Sequence, residues 1–339
     1  MNGGFPQSRA TADGQGTATP EGGNPISRLF PDLSILAAVE RMRLAGGKRI
    51  RGTLAGKRRS QTLGGSQEFA DYRPYALGDD IRKIDWNVYG RTGRAYVRQY
   101  WDEQELHAQL YVDASKSMFF SGGASSSKFE YAVKLASLIG YASLHGDDRV
   151  AVSTFQSERV RSVTPALYGR ASSLKLFRHM ADLLDEETAN QSETSHPPYE
   201  HGAVSDLSIP FRQPGALPRR SGAAWLFTDA MFEQGIEEAL LALRAAGQSV
   251  VFVQLLSPEE ISPQLTGELK LIDSELGTGK EVAVSDRLLK QYRESVQQYK
   301  DKLHNICAEQ GAVYAFVDTG KPLSDALQAL CLLPGALNR

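Results

Sequence analysis

Asp113, Ser115 and Ser117 stand at alternate positions directly after a run, Leu106 to Val112, in which Leu106, Ala108, Leu110 and Val112 fall on one face. That alternation reads as a strand, with the triplet in the loop at its carboxyl end. One carboxylate and two hydroxyls spaced by two turn their oxygens toward a common point if the loop curls over the strand. This donor set suits a hard divalent cation, Mg²⁺ or Mn²⁺, which takes few carboxylates, neutral oxygens and retained waters. The plainer alternative is turn chemistry, in which the same short polar side chains cap backbone groups. A second acid, Asp229, follows the apolar run Ala223 to Thr228 in the same way. Between the two, Ser172 and Ser173 precede a helical pattern, where a third hydroxyl ligand can enter.

The elements that must position these residues alternate along the chain. Helical patterns cover Lys128 to His145, Ser172 to Leu184, Gly235 to Ala246, Asp286 to Gln310 and Pro322 to Leu332. Strand patterns cover Arg149 to Phe155, Glu158 to Val163, Ala223 to Thr228, Ser249 to Leu256 and Ala312 to Val317. Strands separated by helices predict an α/β domain over 105–335 with a doubly wound, mostly parallel, Rossmann-like sheet. Asp113 and Asp229 then open on one edge, where ligands bind such sheets. The polar, proline-rich 185–221 reads as a loop insertion and 265–284 as an added hairpin turning at Gly277-Thr-Gly. Gly277-Thr-Gly-Lys280 is no phosphate loop, because Ser274 and Glu281 stand where glycine and Ser/Thr are required.

Ahead of this domain, 1–28 reads as a disordered tail, and 29–104 as a helix (Leu29 to Leu44) followed by a β-rich, irregular extension. The extension mixes aromatic residues with Arg73, Asp79, Asp80, Arg82, Asp85, Arg91 and Arg94. Guanidinium–carboxylate pairing makes these a structural ion-pair cluster. The enzymatic alternative is a metal-dependent hydrolase using Asp79, Asp80 and Asp85 with Asp113, although no general base stands beside a nucleophile. The basic stretch Arg41 to Arg59 offers a nucleic-acid arm or a solvated linker, and the lack of interleaved aromatics favours the linker.

With 339 residues, 41% hydrophobic and 23% charged, the composition is that of a globular protein of one large or two modest domains. A net charge of −2 gives no steering toward nucleic acid or anionic membrane. No apolar run reaches the ~18–20 residues of a membrane span. No basic-then-apolar leader opens the chain, and Cys307 and Cys331 lack metal or redox spacing. The expected compartment is the cytoplasm.

Asp113-x-Ser115-x-Ser117 followed by Thr228-Asp229 resembles the metal-ion-dependent adhesion site of von Willebrand factor A-type domains. The sequence departs from that pattern at the middle loop, where no Gly-Thr occurs and Ser172 or Ser173 must substitute, and at Ala230, where glycine is usual. A longer run is similar to the bacterial family catalogued as domain of unknown function number 58. It comprises Glu68 to Asn87, Arg91-Thr-Gly-Arg94, Val97-Arg98, Val112 to Met118 and Ile272 to Gly277. This second resemblance implies a von Willebrand factor A-like core and a non-enzymatic protein-binding role. It also implies a MoxR-type AAA+ ATPase as partner in protein maturation or complex assembly, alongside other A-type domain proteins. Asp113, Ser115, Ser117 and Ser172 would hold Mg²⁺, with Asp229 acting through water.

Overall fold

The computed structural model describes residues 24–44, 69–100, 106–121, 126–156, 158–193, 205–264, 267–272 and 279–338. Six strands form its central sheet: His107–Asp113 (β1), Arg149–Gln156 (β2), Arg159–Ser162 (β3), Gly222–Thr228 (β4), Gln248–Leu256 (β5) and Val313–Asp318 (β6). Their order is β3-β2-β1-β4-β5-β6, and Leu167–Tyr168 adds a short antiparallel pairing at the start of β2. Only β3 and that short piece run antiparallel; every other neighbouring pair is parallel. The doubly wound, mostly parallel α/β sheet expected from the alternating pattern is present.

Five helices cover it: Lys128–His145 (α1), Ser173–Glu193 (α2), Ile236–Ala245 (α3), Asp286–Glu309 (α4) and Leu323–Leu332 (α5). Strand alternation decides which helix packs where. Ala108, Leu110 and Val112 of β1 point to the face holding Phe129, Leu135 and Ile139 of α1, Phe177 of α2 and Leu327 of α5. Tyr111, with Ala224 and Leu226 of β4, points to the other face, against Leu240 and Leu243 of α3 and Leu303 and Cys307 of α4. Both faces are therefore buried, which is why the strands read as nearly continuous apolar runs. Gly222 opens β4 where a Cβ would lie 2.0 Å from the His107 carbonyl, so only glycine lets β4 pair this closely with β1.

Three boundaries differ from the sequence expectation. The expected single helix over 29–44 is two short ones, Pro25–Leu29 and Ser34–Val39, because Pro31 disfavours helix at Phe30. Both belong with the α/β domain: Leu29, Phe30, Val39 and Met42 join its core, and Arg43–Leu44 pairs with Leu337–Asn338. Helix α2 runs nine residues past Leu184, to Glu193, into the expected loop insertion, and Ser208–Phe211 adds a helical turn there. The hairpin is Gly267–Ile272 against Gly279–Val284, and its expected turn lies outside the described residues. So do the expected tail up to residue 23 and most of the basic stretch. No helix among the described residues is long and apolar enough to cross a membrane.

Candidate functional site

The chain leaves β1 toward β2 through α1 on one face and leaves β4 toward β5 through α3 on the other. The β1 and β4 loops therefore diverge, opening the crevice in which doubly wound sheets bind ligands. Val112 pairs with Phe227, which brings Asp113 and Thr228 level at its floor.

Asp113 is fully buried. Its Oδ1 accepts the Ser115 N–H at 2.9 Å, and its Oδ2 accepts the Thr228 hydroxyl at 2.5 Å. Both donors are neutral, and among the described residues no cation pairs with this buried carboxylate. Burial, and then the negative charge of Asp229, push its pKa up to about 7, while the Thr228 and Ser115 hydrogen bonds pull the other way. The Ser115 and Ser117 hydroxyl oxygens lie 3.2 Å apart. Adjacent ligands of an octahedral Mg²⁺ with bonds of ~2.0–2.1 Å stand roughly 3 Å apart, so this pair fits two neighbouring positions. No group of three or more His, Cys, Asp or Glu able to hold a metal forms among the described residues. A cation here would rest on hydroxyls and a single carboxylate, the donor class of Mg²⁺ or Mn²⁺.

Asp229 follows β4 and is equally buried, but its surroundings differ. Its Oδ1 accepts the Met231 N–H at 3.1 Å, and its Oδ2 accepts from Lys128 Nζ at 2.8 Å. The same ammonium donates to Glu260 Oε1 at 2.5 Å. Ala230 turns the chain with φ of +62°, a left-handed conformation that glycine adopts more cheaply. The turn is held by the Ala230 N–H on Thr228 Oγ1 at 2.9 Å and by the Tyr299 hydroxyl on the Ala230 carbonyl. Gln254 Nε2 donates to the Asp229 carbonyl at 3.3 Å, and the Tyr314 hydroxyl donates to Gln254 Oε1 at 2.6 Å.

Ser172 is not part of this group. Its hydroxyl donates to the Tyr168 carbonyl at 2.7 Å, and Leu167–Tyr168 pairs with the first residues of β2. Arg170 beside it reaches the carbonyl of His145, the last residue of α1. The 18 residues of α1 span about 27 Å from there to Lys128 at the site. Ser173 follows Ser172 directly and opens α2 at that same far edge. The middle segment that does reach the rim is Ser205–Ser208. Its Ser205 carbonyl accepts the Glu233 N–H at 3.0 Å, and its Leu207 N–H donates to the Gln234 carbonyl at 3.1 Å.

The extension has its own centre. Phe69–Pro74 pairs with Tyr96–Tyr100, flanking a helix, Trp86–Thr92. Asp85 caps that helix through the Asn87 and Val88 N–H groups and accepts from Arg98 Nε at 2.8 Å and the Tyr72 hydroxyl at 2.7 Å. The Arg98 and Tyr72 hydrogen bonds hold its carboxyl far below the usual carboxylate range. Asp79 pairs with Arg73 at 2.8 Å, and Asp80 accepts the Arg82 N–H at 3.0 Å as a turn cap. The expected ion-pair cluster is thus narrower than seven residues. Arg82, Arg91 and Arg94 are exposed, and none of their side chains joins an ion pair among the described residues. Asp79, Asp80 and Asp85 make these contacts inside the extension, and no group of three or more acids able to hold a metal forms among the described residues.

Sequence reasoning missed Lys128 and Glu260, and it gave the Thr228 hydroxyl no role. Two signals stood in view: a lysine opening a helix that is mostly apolar, and the capping-box spacing Ser257-Pro-Glu-Glu260, whose reciprocal bonds form here.

The family model described as "Protein of unknown function DUF58" matches residues 71–302. The uncharacterized protein Rv1480 of Mycobacterium tuberculosis is 27% identical over 268 residues, covering 78% of this chain and 80% of that protein. Among solved structures, BatB from Bacteroides thetaiotaomicron is 16% identical with a TM-score of 0.33, covering 66% of this chain and 94% of that one. The VWA domain of SpRpn10 is 11% identical with a TM-score of 0.31, covering 66% and 94%.

Proposed function

The chain belongs to the DUF58 family, and from that premise we propose that it is a non-enzymatic protein-binding module whose contact point is the carboxyl edge of the sheet. The observation that carries this reading is the convergence of Asp113, Ser115 and Ser117 at the carboxyl edge of β1, with a buried carboxylate that meets only neutral donors among the described residues. Asp113, Ser115 and Ser117 would hold Mg²⁺, with Asp229 behind a bridging water. When bound, the cation supplies an open coordination position for an Asp or Glu of the partner. The protein's own residues do the rest: Thr228 and the Ser115 N–H fix the Asp113 carboxylate, and the Thr228 hydroxyl holds the turn that follows Asp229. The resemblance to this family points to a MoxR-type AAA+ ATPase as partner, in protein maturation or complex assembly.

The test is co-purification with the MoxR-type ATPase of the same organism, in Mg²⁺ and in EDTA, using the natural chain and Asp113→Ala. The expected result is capture in Mg²⁺ alone, lost in the variant while its circular dichroism is unchanged. Capture indifferent to both EDTA and Asp113→Ala would overturn the metal-dependent reading.

A further inference from the structure

Lys128 breaks three local rules at once. It is the first residue of α1, where the positive end of the helix dipole disfavours a cation. Its side chain is 0% exposed, which costs desolvation. It also occupies a buried position, in a mostly buried helix, that leucine or methionine would fill without penalty. The cost is offset by Asp229 Oδ2 at 2.8 Å and Glu260 Oε1 at 2.5 Å, whose side chains are 1% and 19% exposed. Violations of local preference that only one cluster compensates are found at functional sites.

The pairing makes the two strand-end carboxylates unequal. Among the described residues Asp113 faces hydroxyl and amide donors alone, whereas Asp229 faces an ammonium. Glu260 is anchored by its second oxygen to the Ser257 N–H at 2.8 Å, so it holds the far side of the same ammonium and competes with Asp229 for it.

We infer that Lys128 is an internal counter-cation that sets the divalent-ion affinity of this site, by holding Asp229 out of direct coordination under the competing pull of Glu260. This rests on the reading that Asp113, Ser115 and Ser117 hold a divalent cation. A cation entering beside Asp113 meets one available carboxylate and a fixed positive charge behind the second. Removing the ammonium releases two carboxylates toward the incoming ion. Removing Glu260's charge leaves the ammonium wholly to Asp229 and takes a negative charge from the neighbourhood. The two changes therefore act in opposite directions, which loss of packing does not do.

The experiment is Mn²⁺ titration of the full chain, followed by electron paramagnetic resonance of the free ion, for the natural protein, Lys128→Met and Glu260→Gln. Methionine keeps the length and shape of the lysine stem. The expected result is Mn²⁺ binding about tenfold or more tighter in Lys128→Met and several-fold weaker in Glu260→Gln, the direction Coulomb's law requires. Lys128→Met should also melt at a lower temperature than the natural chain in EDTA and regain the difference in Mn²⁺.

Opposite shifts support the inference. Binding by the natural chain with both variants unchanged, or shifted the same way, overturns it and leaves the metal reading standing. Binding by Lys128→Met alone supports the role of Lys128 and sinks the metal reading for the natural chain; binding by none overturns both. If Lys128→Met does not fold in either buffer, Glu260→Gln decides, and unchanged affinity there overturns the inference.

Discussion

The Thr228 hydroxyl donates to Asp113 Oδ2 at 2.5 Å, joining the ends of two neighbouring strands across the switch point. Thr228 also accepts the Ala230 N–H, so one hydroxyl couples the first carboxylate to the turn that carries the second. Thr228→Val keeps the shape and removes both bonds. A hydrogen bond to a charged buried group contributes roughly 1.5–3 kcal/mol, and a loss of that order is expected in urea unfolding. Because this bond lowers the Asp113 pKa, its loss should also move the Asp113 titration further up. An unchanged titration midpoint in the variant would contradict the bond.

The pH dependence follows from the same carboxylate. Burial and the Asp229 charge raise Asp113 from 3.8 to about 7, so the folded chain keeps a proton that the unfolded chain has lost. The stability this provides is fully present below pH 3.8 and is lost as pH rises through about 7. Cation binding needs the ionised form and runs the other way. Apparent Mn²⁺ affinity should climb by up to about tenfold per pH unit below the folded pKa and level off above it, read by isothermal titration. A flat profile across that range would show that Asp113 is not the titrating ligand.

Ser172 and Ser117 separate the two ends of the sheet experimentally. Ser117→Ala removes a hydroxyl 3.2 Å from Ser115 Oγ and should weaken Mn²⁺ binding about tenfold or more. Ser172→Ala removes a bond to the Tyr168 carbonyl at the far edge and should leave the affinity unchanged. Equal effects from the two variants would contradict this arrangement.

These contrasts mark what the chain makes legible. Periodicity placed β1, β4 and β5 because strands buried on both faces are apolar along their length, and it placed Asp113 and Asp229 at their ends. It could not say which intervening loop returns to that edge, because nothing local in Arg170-Ala-Ser172 distinguishes the amino from the carboxyl end of β2. Nor could it show that Lys128 turns inward, since a lysine beside the cap Ser127 ordinarily reads as a solvated first turn. Pairing across 101 or 132 residues belongs to the tertiary structure.

The turn after Asp229 supplies a stability test. Ala230 has φ of +62°, where a Cβ costs about 1–2 kcal/mol, against roughly 0.5–1 kcal/mol for the extra chain entropy of glycine. Ala230→Gly should therefore raise the melting temperature by about 2–4 °C in calorimetry. Gly235→Ala should do the reverse: φ there is +87°, and the new Cβ would stand 1.9 Å from Asp206 Oδ1. That clash pushes Ser205–Ser208 off the rim. A fall in melting temperature for Ala230→Gly would mean that the alanine methyl, 0% exposed on the α3–α4 side of the sheet, contributes more packing than its backbone costs.

The extension depends on Asp85. That carboxylate accepts from Tyr72, Arg98 and two helix N–H groups, and it is 3% exposed. Asparagine offers one acceptor oxygen and turns its amide hydrogens toward donors, so Asp85→Asn leaves several of these groups unsatisfied. Hydrogen exchange should then show lost protection in Phe69–Pro74 and Tyr96–Tyr100, with β1, β4 and β5 protected as before. Acid should act the same way on the natural chain. The Asp85 pKa is held below its ordinary 3.8, so its contribution is present above that pH and is lost as pH falls below it. If protection falls together in the extension and the central sheet, the two unfold as one unit and Asp85 supports both.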